Sequence, residues 1–358
     1  MEKNISGIPA ENEELVKRFG AGAMSKLKDG DKPDFYTFNK GIIYSHRDFD
    51  KFMTALKKGE KCAILSGFNA SGTIHIGHKP VFDTNLFFQK KYGLDVYIPI
   101  SDDESYLAGK VESQEEALKN AMKLAKELLA YGFNPKKTFF IIDQVYTNIY
   151  NLAVKLSKKV NYSEIKATYG YKPEENIGLH FYPAVQSAHI LFLQVEKGIK
   201  NVLVPIGPDE DAHIRISRDI AGRFGLNKPA ILHARFFPGL DGEKMSKSRN
   251  NAIFLSDDEK TIRKKVNKAF SGGADTVEEH RKHGGNPDND VAIFYLTNLF
   301  FDESESDKLK EDYRKGRILS GEVKKMLGDE IVNFVKDFQG RLKKISDKDV
   351  EGCLMRNE

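Results

Sequence analysis

The order of apolar and polar positions along the chain predicts short buried strands that alternate with amphipathic helices. Continuous apolar runs, typical of strands covered on both faces, occupy residues 62–66, 95–100, 137–142, 201–206 and 230–233. Helical periodicity separates them, from about His78 to Gly93 and around residues 211–224. Strands alternating with helices indicate a parallel sheet with helices on both faces, so the predicted fold class is α/β.

A further helix carries clear start and stop signals. Ser113 and Glu116 have the spacing of a capping box, in which two side chains satisfy amides at a helix start. Gly132 is expected to end this helix, whose apolar face comprises Ala117, Ala121, Leu124, Leu128 and Tyr131. Beyond about residue 256 no further strand is predicted, and the chain is charged and helical.

Composition excludes several classes of protein. No apolar run reaches the roughly 20 residues that a membrane crossing needs, so no membrane association is expected. Cys62 and Cys353 are the only cysteines, which argues against a disulfide framework or a cysteine zinc cluster and favours a cytoplasmic location. A net charge of +4 is compatible with a nucleic-acid partner but does not require one.

The first candidate for chemistry is His75-Ile76-Gly77-His78, which follows a predicted strand and glycine-rich loop and begins a helix. A helix start at the carboxyl end of a parallel strand offers amide donors to a phosphate. Two imidazoles three residues apart can add hydrogen bonds, and Gly77 would let a nucleotide approach the backbone. An isolated H-x-G-H segment is about equally often a pair of ordinary surface or capping histidines. No third ligand lies at a suitable spacing, so no metal site is predicted.

The second candidate is the segment 244–248, Lys-Met-Ser-Lys-Ser, which glycines flank. Two lysines and two hydroxyls on such a loop can close over a triphosphate and stabilise charge that moves onto pyrophosphate. A K-x-S-K string by itself is usually a solvated basic loop. Its pairing with H-x-G-H changes the interpretation.

H-I-G-H after the first strand and K-M-S-K-S after the last form the arrangement of class I aminoacyl-tRNA synthetases. Over about residues 43–345 the sequence most resembles archaeal tryptophanyl-tRNA synthetases. The matching stretches are 45–50, 66–72, 101–104, 132–139, 182–186, 204–211 and 270–281 with Gly284 and Gly285. The stretch 270–281 is the most discriminating, because it resembles the start of the helical anticodon-binding domain.

The resemblance implies a Rossmann-like parallel-sheet catalytic domain with a helical insertion, followed by an all-α C-terminal domain. The expected boundaries are 1–52 for an N-terminal extension, 53–255 for the catalytic domain with its insertion at about 110–200, and 256–358 for an anticodon-binding domain. The basic runs 263–265 and 341–344 are candidate phosphate contacts, although each is at least as readily a solvated face. A homodimer is expected by resemblance alone.

The resemblance also implies ATP-dependent activation of tryptophan and its transfer to tRNA(Trp), with Mg²⁺ accompanying the ATP. The implied catalytic residues are His75, His78, Lys244 and Lys247. The implied ATP-binding residues are Gly67, Asn69, Ser71, Gly77, Gly207, Asp209, Met245, Ser246 and Ser248, with backbone groups of Ile253 and Phe254 near the adenine. The implied amino-acid-binding residues are Leu65, Glu104, Tyr182, Gln186 and His189.

Tyrosyl enzymes share this architecture, so the amino acid has to be argued separately. They place a tyrosine at the position of Leu65 and an aspartate at that of His189, because a phenol needs polar partners. The present residues favour tryptophan. In eukaryote-like tryptophanyl enzymes a tyrosine and a glutamine hold the indole N–H, and Leu65 and Pro99 replace them here. The indole contact is therefore unassigned, and Gln194 is one further candidate.

Three alternatives remain open at this point. One is a tyrosine–tRNA ligase, and another is a synthetase paralogue that binds tRNA without aminoacylating it. The latter is motivated by Glu210 and Ala70, which replace the family's usual glutamine and proline. A nucleotidyltransferase is the third, because such enzymes share H-x-G-H, but they are generally shorter and lack the long helical C-terminal region.

Overall fold

The computed structural model describes residues 16, 20–28, 30–245 and 249–357, and within them a single sheet organises the fold. Its strands are β1 (Gly22–Ala23), β2 (Ile43–Arg47), β3 (Cys62–Leu65), β4 (Phe68–Asn69), β5 (Asp95–Ser101), β6 (Thr138–Ile142), β7 (Asn201–Ile206) and β8 (Ala230–Ala234). The five strands predicted from apolar runs are all present, with ends displaced by at most one residue.

Helices cover the sheet and form the C-terminal region. In chain order they are α1 (Tyr36–Asn39), α2 (Phe49–Lys57), α3 (Lys79–Tyr92), α4 (Asp102–Leu107), α5 (Gln114–Tyr131), α6 (Asn148–Ser157), α7 (Tyr162–Tyr169), α8 (Ile177–Glu196), α9 (Asp211–Arg223), α10 (Glu259–Asn267), α11 (Val277–His283), α12 (Val291–Tyr295), α13 (Glu303–Arg314), α14 (Ser320–Leu342) and α15 (Asp347–Glu351). A π-helical turn, Leu296–Phe300, continues α12.

The centre of the sheet is parallel, in the spatial order β6-β5-β3-β7-β8. Numbered by their order along the chain, these strands have the arrangement 3-2-1-4-5 of a Rossmann-like fold. Short β4 pairs with β5 in the same register as β3, so it continues the line of β3 beyond a break at Ser66 and Gly67. The predicted α/β class is confirmed.

One edge of the sheet corrects the expectation of purely parallel pairing. β2 pairs antiparallel with β8, and β1 pairs antiparallel with β2. Ile43, Phe49 and Phe52 are buried in the same core as the central strands. The described part of the predicted N-terminal extension therefore belongs to the sheet, because its apolar residues are needed to cover that edge. The predicted boundary at residue 52 would cut helix α2.

Local signals explain where two helices begin and end. Gly93 and Gly132 end α3 and α5 with φ of 67° and 128°, in the left-handed region that favours glycine. Ser113 Oγ accepts a hydrogen bond from Glu116 N, as predicted, at 3.1 Å. A capping box would also have the Glu116 carboxylate accept from Ser113 N, but here that carboxylate accepts from Glu112 N.

Residues 249–357 consist of helices joined by loops, and they pack against the part of the chain that contains the sheet instead of standing apart from it. Helix α14 lies against α5, where Arg341 Nε donates to Ala130 O at 2.7 Å. The chain then returns to the sheet, where Phe140 of β6 exchanges backbone hydrogen bonds with Cys353 and Met355. The insertion predicted at 110–200 contains β6 as well as helices, so it is not wholly helical. The division into domains stays a prediction.

Candidate active site

Two adjoining cavities open at the carboxyl ends of the parallel strands, beside the neighbouring β3 and β7. The strand order reverses at this point, which is where open α/β sheets bind ligands. The cavity volumes are about 360 Å³ and about 380 Å³, within the roughly 300–1,000 Å³ typical of ligand pockets. The two cavities share walls formed by Gly67, Phe68, Asn69, Ile206 and Glu210.

Predicted catalytic and ATP-binding residues line the first cavity, which is called the nucleotide cavity below. They are Gly67, Asn69, His75, Gly77, His78, Gly207, Asp209, Lys244 and Met245. Predicted amino-acid-binding residues line the second, called the amino-acid cavity. These are Leu65, Glu104, Tyr182, Gln186 and His189. The tertiary structure thus gathers two sets of residues that are widely separated along the chain.

The two histidines of the H-x-G-H segment stack on each other at the start of α3. Their ring centres are 3.8 Å apart, and His78 Nδ1 accepts a hydrogen bond from His75 N at 3.1 Å. The segment is also tied to the chain beyond the lysine loop, because Ile76 N donates to Ile253 O at 2.9 Å. Both imidazoles are therefore held at the mouth of the nucleotide cavity.

The lysine segment reaches the same cavity. A Cβ on Gly77 would lie 3.0 Å from Met245 Cε and 3.0 Å from His75 Nδ1, so glycine is the residue that fits there. Lys244 Nζ lies 3.7 Å from Asp209 Oδ2 and 4.5 Å from the centre of the Phe236 ring. Ser246, Lys247 and Ser248 lie outside the described residues.

Two acidic residues follow one another here: Asp209 lines the nucleotide cavity, and Glu210 lines both cavities. Burial, and then the charge of Glu210, raises the pKa of Asp209, which Lys244 opposes. Burial would also raise the pKa of Glu210, but hydrogen bonds from His213 and Gln186 bring it below its ordinary value. His213 Nδ1 is 3.3 Å from Glu210 Oε2. Glu210, which replaces the family's usual glutamine, is thus stabilised as a carboxylate by its own partners.

Polar groups in the amino-acid cavity are mostly paired with each other. Tyr182 Oη and Ser101 Oγ are 2.9 Å apart, and Tyr169 donates from its hydroxyl to Gln186 Oε1 at 2.5 Å. His189 Nε2 lies 2.6 Å from Asp143 Oδ1, with both side chains buried. Burial lowers the pKa of His189 to about 4, so its imidazole is neutral at physiological pH.

Other candidates take different positions. The Ser71 hydroxyl donates to Asn69 Oδ1 at 2.5 Å, so Ser71 braces the loop and does not line the nucleotide cavity. Gln194 is not a pocket donor, because both ends of its amide are bonded to the backbone of Asn227. Phe254 N already donates to the Asp257 carboxylate, so it is not available to an adenine, and Ile253 O already accepts one hydrogen bond, from Ile76 N.

Several cavity residues escaped the sequence analysis. Arg235 follows β8 directly, is exposed and lines the nucleotide cavity. Its place after a predicted strand was a usable signal, since ligands meet the carboxyl ends of strands. Tyr169 and His213 stack with ring centres 4.1 Å apart beside the amino-acid cavity. No local pattern identifies that contact, because it joins two helices.

The described residues contain no group of three or more His, Cys, Asp or Glu side chains placed to hold a metal ion. Within the same part of the chain, no helix combines the length and the apolar character needed to cross a bilayer.

The strand order, the H-x-G-H helix start and the converging lysine segment define a nucleotide-binding α/β enzyme. A sequence model described as "tRNA synthetases class I (W and Y)" matches residues 57–336. The tryptophan–tRNA ligase of Methanocaldococcus jannaschii is 38% identical over 351 residues, covering 94% of each chain. That of Sulfolobus acidocaldarius is 38% identical over 348 residues, covering 94% of this chain and 90% of the relative.

Solved structures agree. The tryptophanyl-tRNA synthetase of Aeropyrum pernix superposes with a TM-score of 0.90 at 30% identity over 100% of both chains. The Plasmodium falciparum enzyme superposes with a TM-score of 0.87 at 31% identity over 96% of both. The chain belongs to the class I tRNA synthetases of the tryptophan and tyrosine group. The predicted family is confirmed, and the nucleotidyltransferase alternative is wrong.

Proposed function

We propose that this protein activates tryptophan with ATP and transfers it to tRNA(Trp). The observation that carries the proposal is that Met245 of the lysine segment lies next to Gly77 of the H-x-G-H segment. Both residues line the nucleotide cavity, and the amino-acid cavity adjoins it. The shared wall of Gly67, Phe68 and Asn69 is where the two substrates would meet. Relatives at 38% identity are tryptophan–tRNA ligases, which supports the choice of amino acid.

The chemistry requires no protein nucleophile. The amino-acid carboxylate attacks the α-phosphorus of ATP, a P–O bond to pyrophosphate breaks, and aminoacyl-adenylate and pyrophosphate form. A terminal hydroxyl of tRNA then attacks the carbonyl carbon and displaces AMP. The protein contributes positioning and charge stabilisation. His75 and His78 would donate to phosphate oxygens, while Lys244, Lys247 and Arg235 would neutralise charge on the departing pyrophosphate.

Mg²⁺ is expected to enter bound to ATP, because it usually binds proteins through substrate phosphates and few carboxylates. Asp209 is the carboxylate nearest to Lys244 in the nucleotide cavity, 3.7 Å away. Its oxygens are candidates for the ribose hydroxyls, as the family resemblance implies. The metal would supply further charge neutralisation on the phosphates.

The amino-acid cavity suits an aromatic side chain of low polarity. Leu65, Pro99, Ile190, Val204 and Ile214 contribute apolar walls. The substrate ammonium needs hydrogen-bond acceptors, and the carboxylates of Glu104 and Glu210 and the amide oxygen of Gln186 line the same cavity. This arrangement supports tryptophan, and tyrosine remains the competing substrate that an experiment has to exclude.

The C-terminal helical region, residues 256–358, is proposed to bind the anticodon arm. In the run 263–265, Arg263 pairs with Glu259 and Asp329, and Lys265 pairs with Asp257, so both are largely engaged within the protein. Lys260, Lys264 and Lys268 recur every four residues on and just beyond α10, on one face. They are better candidates for RNA phosphates. A homodimer and a cytoplasmic location remain predictions.

The test is ATP–pyrophosphate exchange with each of the twenty amino acids, followed by aminoacylation of total tRNA. Tryptophan alone should support exchange, and one tRNA species should be charged. Exchange with tyrosine instead would favour the tyrosine–tRNA ligase. Binding of tRNA without any exchange would favour the non-aminoacylating paralogue.

A further inference from the structure

One wall of the amino-acid cavity contains a buried imidazole, His189, that contacts the buried carboxyl group of Asp143, with the half-buried Asp103 beside it. Tyr182, Gln186 and His189 lie on one face of α8, and His189 has a side chain only 3% exposed. Asp143, at the carboxyl end of β6, has a side chain with no exposure. The apolar residues Leu65 and Pro99 line the same cavity, where they offer no hydrogen-bonding side chain to a substrate.

The hydrogen bonds behind His189 determine which of its nitrogens can accept. Asp143 Oδ1 contacts His189 Nε2 at 2.6 Å, while Asp143 Oδ2 is buried without a donor among the described residues. Burial, and then the charge of Asp143, raises the pKa of Asp103 well above its usual range, and burial also raises the pKa of Asp143. Two neighbouring carboxyl groups whose pKa values are both raised do not both ionise, so they share a proton. With the proton on Asp103, Asp143 remains an acceptor for His189 Nε2–H.

A neutral imidazole that donates from Nε2 has a lone pair at Nδ1. His189 lines the amino-acid cavity and Asp143 engages its Nε2, so Nδ1 is the ring nitrogen left for a ligand. No hydrogen-bond partner of His189 Nδ1 occurs among the described residues. The chain Asp103–Asp143–His189 thus presents one hydrogen-bond acceptor to an otherwise apolar part of the cavity.

Other polar groups in this cavity are less suitable as a hydrogen-bond acceptor for the substrate, because most of them already have partners. Ser101 and Tyr182 are bonded to each other, and Tyr169 is bonded to Gln186. Glu104 accepts from Lys110 and Asn69. Tyr171 is the remaining hydroxyl in the cavity wall and is the rival acceptor.

We propose that His189 Nδ1 accepts the hydrogen bond from the indole N–H of the substrate, and that Asp143 and Asp103 are positioning residues that keep it an acceptor. An indole has one donor and no acceptor, and burying that donor unpaired would cost free energy. The proposal rests on the proposed function, since it assumes that tryptophan is the substrate. It assigns the indole contact that Leu65 and Pro99 cannot supply.

The experiment compares tryptophan with β-(3-benzothienyl)-L-alanine, in which sulfur replaces the N–H. ATP–pyrophosphate exchange gives kcat/KM for each, and the unaltered protein should prefer tryptophan by roughly 10- to 100-fold. His189→Gln can still donate to Asp143 but has no acceptor at the Nδ1 position. It should lower the preference to about 3-fold or less, with the analogue's kcat/KM nearly unchanged. His189→Asn, which restores an oxygen near Nδ1, should recover part of the preference.

Asp143→Asn tests the positioning role through the same ratio. Its amide can donate to His189 Nε2 and thereby place the proton on Nδ1, so the preference should fall while the analogue is still activated. Thermal unfolding of every variant establishes that it folds. A merely structural role would lower both substrates together and leave the ratio unchanged.

An unchanged preference in His189→Gln, or a preference lost in Tyr171→Phe instead, would overturn the assignment. That result is distinct from failure of the proposed function. If the unaltered protein activates tyrosine and not tryptophan, the proposed function fails, whatever His189 contributes.

Discussion

The nucleotide cavity and the amino-acid cavity share a wall but are built differently. Short contiguous segments line the first, among them 75–78, 234–237 and 244–245. The second takes single side chains at helical spacing from α8 and others from the ends of β3, β5 and β7. The first site is therefore visible as sequence motifs, and the second is created by packing.

The charged groups of the two cavities also differ in exposure. The Lys244 side chain is 69% exposed, whereas that of His189 is 3% exposed. An exposed cation can move to follow charge that develops on a phosphate, while a buried pair selects a ligand by its fixed geometry. Changes in the nucleotide cavity should therefore act on kcat and the KM for ATP. Changes in the amino-acid cavity should act on the KM for the amino acid.

The largest effect is expected from His78→Ala. This change removes a phosphate donor and also the acceptor of the hydrogen bond from His75 N. Loss of one preorganised donor to developing charge typically costs about 10²- to 10³-fold in kcat, and pyrophosphate exchange measures it. Binding of tRNA should be unchanged. The matched control is His283→Ala, which alters an exposed histidine outside both cavities. Equal rates for the His78 variant and the unaltered protein would contradict the site assignment.

Arg235→Ala should have the next largest effect. Arg235 lines the nucleotide cavity, and a charge-assisted hydrogen bond to phosphate contributes about 1.5–3 kcal/mol, roughly 10- to 100-fold in the KM for ATP. The KM for the amino acid should stay constant. Arg223→Ala is the control, since Arg223 pairs with Glu164 and lines neither cavity. A change confined to the KM for the amino acid would show that the two cavities do not bind the two substrates as described.

Tyr169→Phe should have the reverse selectivity and a smaller effect. It deletes the donor to Gln186 Oε1 and leaves the ring stacked on His213. A neutral hydrogen bond contributes about 0.5–1.5 kcal/mol, so the KM for tryptophan should rise roughly 3- to 10-fold with the KM for ATP unchanged. Tyr162→Phe, on the same helix but about half exposed, is the matched control. Equal effects of the two variants would remove Tyr169 from the site.

The smallest effect is expected at Asp211, the residue after Glu210, which lines both cavities. Asp211 is buried at the start of α9, where it accepts from Arg47 Nε at 2.8 Å and lies 2.9 Å from His233 Nε2. Burial would raise the pKa of Asp211, but hydrogen bonds from His233 and Arg47 hold it well below the ordinary value. The carboxylate stays charged in the folded protein at a pH where the unfolded chain, with a pKa of about 3.9, takes up a proton.

This contribution to stability is therefore present above about pH 4 and is lost as the pH falls toward the folded-state pKa. Urea unfolding between pH 7 and pH 3 should show a steeper loss of stability for the unaltered protein than for Asp211→Asn. Asp219→Asn, at an exposed position of the same helix, should follow the unaltered protein. Parallel curves for all three would show that Asp211 does not act in this way.

Sequence alone determined the features that depend on contiguous residues. Apolar runs predicted the central strands, Gly93 and Gly132 predicted helix ends, and the motif pair with the wider resemblance predicted the family and part of the lining of the nucleotide cavity. These features can be predicted from the sequence because backbone propensity and phosphate binding at a helix start both depend on residues that are close together in the chain.

Only the tertiary structure decided what depends on distant partners. The antiparallel pairing of β2 with β8, the bond between Tyr169 and Gln186 and the burial of His189 beside Asp143 join segments that no local pattern links. Gln194 shows the same point in reverse, because it was a candidate pocket donor from the sequence but the backbone of Asn227 occupies its amide. Whether a polar side chain meets a ligand or another side chain is decided by which groups packing brings within about 3 Å of it.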